Sequence, residues 1–190
     1  MTLRYETQES EIYNALKKIK RTGWVIREVE EPETVYDHTV SLLQLANRLK
    51  PELQLSEEDF DDLLHILEIH DWAEALVGDE FIPNEDAYAY RARKIIKAKH
   101  EQDAMQQLLT GKPYAATVYR LFERYESGVD TVAKLAKYQA LELALRYEEE
   151  QGVALFKEFD DYYERDGAFS NPIILKHVGQ LRDKHSSLSK

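Results

Sequence analysis

The stretch His70-Asp71-Trp72-Ala73-Glu74-Ala75-Leu76-Val77-Gly78-Asp79 gathers an imidazole and three carboxylates at the end of an apolar run. Leu63, Leu64, Leu67 and Ile69 precede it at spacings that suit a buried helix. On a continued helix, His70 and Glu74 stand four residues apart and Asp71 and Glu74 three apart, so the three groups share one side. Buried ionisable groups are costly unless they are paired or bound to a metal ion. The competing reading is a helix end with a solvated acidic face.

A second set of residues lies upstream. It comprises Arg21-Thr-Gly-Trp24-Val-Ile-Arg27 and Glu31-Pro-Glu-Thr-Val-Tyr-Asp-His38, followed by Leu42, Leu43, Leu45, Ala46 and Leu49 at helical spacing. A single His, then a His-Asp doublet on the next helix, then a Glu three residues beyond, resembles the ligand order of the HD-domain metal phosphohydrolases. The wording is most similar to their 5′-deoxynucleotidase-like branch. Lys99-His-Glu-x-x-Ala-Met105 and Leu145-Arg-Tyr-Glu148 continue the resemblance, which runs in matching order from about Arg21 to the C-terminal helix.

The resemblance implies an all-α fold, a single HD-domain helical bundle over residues 1–190. Its core would span about residues 20–150, with C-terminal helices in 151–190 packed on it. It implies a phosphohydrolase releasing phosphate from a (deoxy)nucleoside 5′-monophosphate, working as a homodimer. His38, His70 and Asp71 would hold one divalent transition metal; two imidazoles and a carboxylate suit Mn, Fe, Co, Ni or Zn better than Ca or Mg. Glu74 would orient or deprotonate the attacking water, and Asp79 would protonate the leaving 5′-oxygen or hold the sugar, unless it merely caps a turn after Gly78. Arg21 and Arg27 are the phosphate-facing candidates, with simple exposure as the alternative for each. Trp24 either stacks on a base or packs over the helical core.

One departure matters. The family's fourth ligand is an Asp on the helix before Leu145-Arg-Tyr-Glu148. Counting back from Tyr147 aligns it with Ala136, in the turn Ala136-Lys137-Tyr138-Gln139. Gln139 is the one nearby side chain able to substitute, and three protein ligands still form a facial set. The alternative function is therefore a catalytically weakened HD-fold protein that binds a nucleotide or a protein partner.

The elements that must position these groups are helical. The 190 residues contain 43% hydrophobic and 32% charged side chains, with few helix breakers (7 Gly, 5 Pro). A net charge of −11 argues against binding duplex nucleic acid, and the absence of cysteine removes disulfides and thiolate ligands. No apolar run approaches a membrane span, and the N-terminus lacks a signal-peptide core, so a cytoplasmic location is expected. Ile12, Leu16 and Ile19 predict an opening helix over about 7–20. Thr34 with Asp37 resembles a capping box that sets His38 in the first turn of the second helix, and Ser56 with Asp59 signals the third. A loop over 78–86 precedes a long helix over 87–109, whose early basic run reads as a solvated face or as a phosphate-facing start. Further helices are expected over 115–125, 131–150 and 153–163. The last opens on Asn171 and Pro172. His65 reads as a core or rim residue, and His100, His177 and His185 as surface residues.

Overall fold

Local capping chemistry decides where the two ligand-bearing helices begin. Thr34 takes an extended backbone, accepts from the Asp37 N–H at 3.0 Å and donates its own N–H to Asp37 Oδ2 at 3.0 Å, a complete capping box. Ser56 Oγ accepts the Asp59 N–H at 3.1 Å. The computed structural model describes residues 3–82, 87–128 and 132–188. Its elements are α1 (Ser10–Leu16), α2 (Thr22–Val25), α3 (Val35–Leu53), α4 (Glu57–Ile69), α5 (Glu74–Val77), α6 (Ala87–Leu109), α7 (Ala115–Glu126), a 3₁₀ turn (Val132–Lys134), α8 (Leu135–Gln151), α9 (Phe156–Arg165) and α10 (Pro172–Leu188). The fold is all-α. Among the described residues the extended pairing is a single antiparallel bridge between Lys20 and Thr34. The anticipated turn at Pro83 and Asn84 lies outside the described residues.

The apolar stripes meet where the periodicity directs them. α3 buries Leu42, Leu43, Leu45, Ala46 and Leu49 against α4, which contributes Leu63, Ile66, Leu67 and Ile69. α8 packs on α3, α9 and α10, α7 packs on α4, and α6 packs on α5 and α7. Each fully buried aliphatic side chain here contributes roughly 1.5–3 kcal/mol. One contiguous core runs from Leu3 to Val178. No helix among the described residues is long and apolar enough to cross a membrane.

Two boundaries differ from expectation. A short helix, α2, forms at Thr22–Val25, where the sequence offered only a Gly-containing loop. The helix carrying the His-Asp doublet does not run through to Glu74. α4 ends at Ile69, and residues 70–73 form turns closed by i→i+3 bonds: Trp72 N–H to Ile69 O at 3.0 Å and Glu74 N–H to Asp71 O at 3.1 Å. α5 then starts at Glu74. A tighter turn has three residues rather than 3.6, so side chains three apart eclipse. Asp71 and Glu74 therefore share a wall for a different reason than helical spacing suggested.

The N-terminal segment is tied to α4 by buried polar groups. Glu68 accepts the backbone N–H of Arg4 and of Tyr5, each at 3.0 Å, and the Tyr13 hydroxyl at 2.6 Å. His65, 4% exposed, meets the Tyr5 hydroxyl at 2.7 Å through Nε2 and the Arg4 guanidinium at 3.3 Å through Nδ1. A guanidinium can only donate, so His65 Nδ1 is the acceptor and the ring is neutral. Burial, then the adjacent Arg4 charge, pushes the His65 pKa down from 6.5 to about 4. A depressed imidazole pKa means that the unfolded chain takes up the proton first, so this stability is complete above pH 6.5 and is lost as pH falls towards 4. Melting temperature measured across that interval should fall less steeply in His65→Gln than in the unsubstituted protein. Parallel slopes would remove His65 from the acid response.

Candidate metal centre

Two helices and the turn that follows one of them converge on His38, His70 and Asp71. His38 stands in the first turn of α3, His70 caps the end of α4, and Asp71 follows it. Each offers a ligand atom, and the three atoms lie within 4.8 Å of one another. The hydrogen bonds decide which ring nitrogens face inward. His38 Nδ1–H donates to Gln139 Oε1 at 2.9 Å, and His70 Nδ1–H donates to the Leu67 carbonyl at 2.9 Å. An amide or carbonyl oxygen only accepts, so each neutral ring keeps its lone pair on Nε2.

Those two Nε2 atoms lie 3.8 and 3.1 Å from Asp71 Oδ2. His38 Nε2 is buried without a hydrogen-bond partner. Three electron-pair donors thus face one another with no proton between them, an arrangement that a divalent cation completes. The residues present fit the metal implied by the sequence. Gln139 belongs to the support rather than the ligand set, since its oxygen fixes the His38 tautomer.

The charge states agree with this geometry. Burial, then Arg21, lowers the His38 pKa against the pull of Glu33 and Asp71, which favours the neutral, metal-binding ring. Burial alone would raise Asp71, but positive charge around it, at His70 and His38 when those rings are protonated in the absence of metal and permanently at Arg21, holds its carboxyl well below the usual range. Arg21 Nη1 donates to Asp71 Oδ2 at 3.0 Å. Its placement follows from the Lys20–Thr34 bridge, where the Arg21 N–H also donates to the Glu33 carbonyl at 3.0 Å. Glu33 lies 3.6 Å from His38 Nδ1 and accepts from the Trp24 indole at 3.3 Å.

Beside the cluster opens a cavity of ≈ 440 Å³. Glu74 stands on its wall at 3% exposure, with Oε2 unpartnered and Oε1 4.0 Å from Lys97 Nζ. Burial first, then the charges of Asp71 and Asp79, hold its carboxyl well above the usual range. Asp79 lines the same cavity and accepts the Thr22 backbone N–H, while Thr22 Oγ1 donates to the Asp79 carbonyl at 2.6 Å. It therefore also caps α2. Gly78 makes that return, with φ of 80° and ψ of 166°, a backbone region open to glycine.

The remaining predicted residues separate. Trp24 borders the cavity but is 2% exposed, stacked on Phe159 at 4.5 Å and set edgewise to Tyr147 at 5.4 Å, so its ring is packed against both. Arg27 does not line the cavity: it pairs with Glu158, donates to the Gly23 carbonyl at 2.7 Å and lies over Phe81 and Phe159. On α8 the cavity wall is formed by Lys137 and Ala140, whereas Ala136 is buried and does not line it. In α6, Lys94 and Lys97 line the cavity, while Arg91, Arg93 and Lys99 are exposed. His177 and His185 pair with Glu52 at 3.3 Å and Glu148 at 3.0 Å, contacts that tie α10 to α3 and α8. Sequence reasoning missed Glu33 and Tyr125, whereas Lys97 belongs to the basic run that it did single out. Tyr125 sets its ring edgewise on His70 at 5.0 Å, and nothing in its local sequence signals that contact.

Comparison with known proteins agrees with the fold and the cluster. A profile of the HD domain matches residues 13–171. The chain belongs to the HD-domain family. A human protein named 5′-deoxynucleotidase HDDC2 is 30% identical over 181 residues, covering 90% of this chain and 82% of its own length. A Xenopus laevis protein of the same name is 31% identical over 187 residues, covering 95% and 87%. Among solved structures, a conserved hypothetical protein of Pyrococcus furiosus superposes with a TM-score of 0.66 at 26% identity, over 90% of this chain and 96% of that one. A predicted metal-dependent phosphohydrolase of Magnetospirillum magnetotacticum shares the fold, with a TM-score of 0.67 at 23% identity over 96% and 92%.

Proposed function

We propose that this protein is a metal-dependent phosphohydrolase that releases phosphate from (deoxy)nucleoside 5′-monophosphates. The observation that carries the reading is the buried, unpartnered His38 Nε2 facing His70 Nε2 and Asp71 beside a cavity whose wall holds a second unpartnered buried group, Glu74 Oε2. His38, His70 and Asp71 would hold one divalent transition metal, drawn from Mn, Fe, Co, Ni and Zn. When bound, such an ion supplies positive charge to a phosphoryl oxygen and lowers the pKa of water.

The chain's own groups supply the rest. Glu74 accepts the proton of the attacking water; burial and the charges of Asp71 and Asp79 raise its pKa above the usual carboxylate range, which makes it a stronger base than a free carboxylate. Asp79, on the same wall, serves the leaving 5′-oxygen or the sugar. Arg21 holds Asp71 in place and lends its charge to the phosphate side of the cavity. Trp24 and Arg27 support the Thr22–Val25 segment and do not touch substrate. Gln139 fixes the His38 tautomer, and Ala136, three residues before it on the same face of α8, is the position that the family resemblance gives to a fourth ligand. A homodimer, on the family resemblance, and a cytoplasmic location complete the reading.

The test is elemental analysis of protein purified without chelators, followed by phosphate release from a panel of ribo- and deoxyribonucleoside 5′-monophosphates. Stoichiometric transition metal with turnover that EDTA abolishes and metal restores is expected. Metal and tight nucleotide binding with no phosphate released would move the protein to the catalytically weakened alternative, for which Ala136 at the fourth-ligand position is the motive.

A further inference from the structure

Five basic side chains line the cavity: Arg21, Lys94, Lys97, Lys134 and Lys137. Three are matched to carboxylates, Arg21 to Asp71 at 3.0 Å, Lys94 to Asp166 at 3.0 Å and Lys97 to Glu101 at 3.1 Å. Lys134 and Lys137 have no ion pair or hydrogen bond among the described residues. Each meets an aromatic face instead, Tyr125 for Lys134 and Tyr163 for Lys137, with the ammonium 5.7 Å from the ring centroid.

Lys137 is the better placed of the two. It stands three residues before Ala140 on α8, on the same helix face and the same cavity wall, whereas Lys134 belongs to the preceding 3₁₀ turn. It is half-buried on that wall, with no carboxylate in ion-pair range among the described residues. Burial, then the nearby Arg21 and Lys97, pushes its pKa down to about 8, with Asp71 opposing. The amine is therefore still charged at neutral pH. An ammonium withdrawn from water without an anion is costly, and a cation–π contact offsets only part of that cost. Arg21, the basic residue that the sequence points to first, already has its guanidinium engaged by Asp71.

We infer that Lys137 is a substrate-binding residue whose ammonium receives the phosphoryl oxygens of a phosphate monoester beside the His38, His70 and Asp71 cluster. The inference rests on the phosphohydrolase reading for its substrate class. Its evidence, an uncompensated cation on a cavity wall, is independent of turnover. A charge-assisted bond to phosphate commonly accounts for about one to two orders of magnitude in affinity.

The experiment compares Lys137→Gln, Lys137→Arg and an exposed-lysine control, Lys99→Gln, with the unsubstituted protein. Two quantities are read: the dissociation constant of inorganic phosphate by calorimetry on metal-free protein, and KM and kcat for a nucleoside 5′-monophosphate on metal-loaded protein. Lys137→Gln is expected to weaken phosphate binding and to raise KM by about tenfold or more, Lys137→Arg to restore most of both, and Lys99→Gln to change neither. If the Gln variant fails to fold, Lys137→Met supplies the neutral comparison. An unchanged phosphate dissociation constant in the neutral variant, or no phosphate binding by the unsubstituted protein at millimolar concentration, overturns the inference. Weakened phosphate binding in a protein that hydrolyses no nucleotide would leave the Lys137 assignment standing and sink the proposed reaction instead.

Discussion

Glu74→Gln is expected to lower phosphate release by about two to four orders of magnitude, with metal content unchanged. The substitution is nearly isosteric and removes only the ability to take a proton. Glu74 lies outside the three-residue cluster, so its loss should leave the ion's donors intact. Its carboxyl is 3% exposed, one oxygen has no hydrogen-bond partner, and burial with the charges of Asp71 and Asp79 raises its pKa well above the usual range. A structural carboxylate with those properties would be a liability, because an unpaired buried acceptor destabilises the fold. If it is retained for structure, the Gln variant should turn over normally and melt at the same temperature or higher. Elemental analysis decides between the other roles: loss of metal together with turnover would make Glu74 a ligand.

A carboxylate restored on α8 is expected to tighten metal binding by about one to two orders of magnitude and to raise turnover, with Ala136→Asp the variant that the family resemblance points to and Ala140→Asp the variant that the cavity lining points to. Ala140 lines the cavity with His70 and Asp71, so a carboxylate there adds an anionic donor facing the cluster. Ala136 is buried and does not line the cavity, but it stands three residues before Gln139, which bonds His38, so an Asp there shares the helix face that meets the cluster. Metal titration, melting temperature and turnover on both variants separate the two positions. Tighter metal binding from Ala136→Asp, and not from Ala140→Asp, would uphold the alignment made by counting back from Tyr147. A loss of stability from both, with no gain in metal, would favour a chain that has left catalysis.

The difference between Ala136 and Ala140 shows where counting along a sequence stops being informative. The two residues are one helical turn apart and chemically identical, so helical spacing alone puts both on one face of α8. Only the packing of α8 on α3 sets which turn meets His38, and it does so through the Gln139–His38 bond. Trp24 and Arg27 make the same point. Their types suit a base and a phosphate, yet Phe159, Tyr147 and Glu158, more than a hundred residues away, draw both into packing.

What the sequence determined by itself are the features written in local chemistry. The Thr34–Asp37 and Ser56–Asp59 caps start α3 and α4, the 3.6-residue apolar stripes give those helices one buried face, and the order His38, then His70-Asp71, then Glu74 marks the reactive end. Tertiary structure alone decided the features that depend on long-range partners. It set the orphaned Nε2 of His38, the raised pKa of Glu74, the engagement of Arg21 by Asp71, and the Lys137 ammonium left without a carboxylate. The physical reason is range. Caps and stripes involve residues within one or two helical turns, whereas desolvation and charge pairing depend on whichever side chains other elements bring to the same few ångströms.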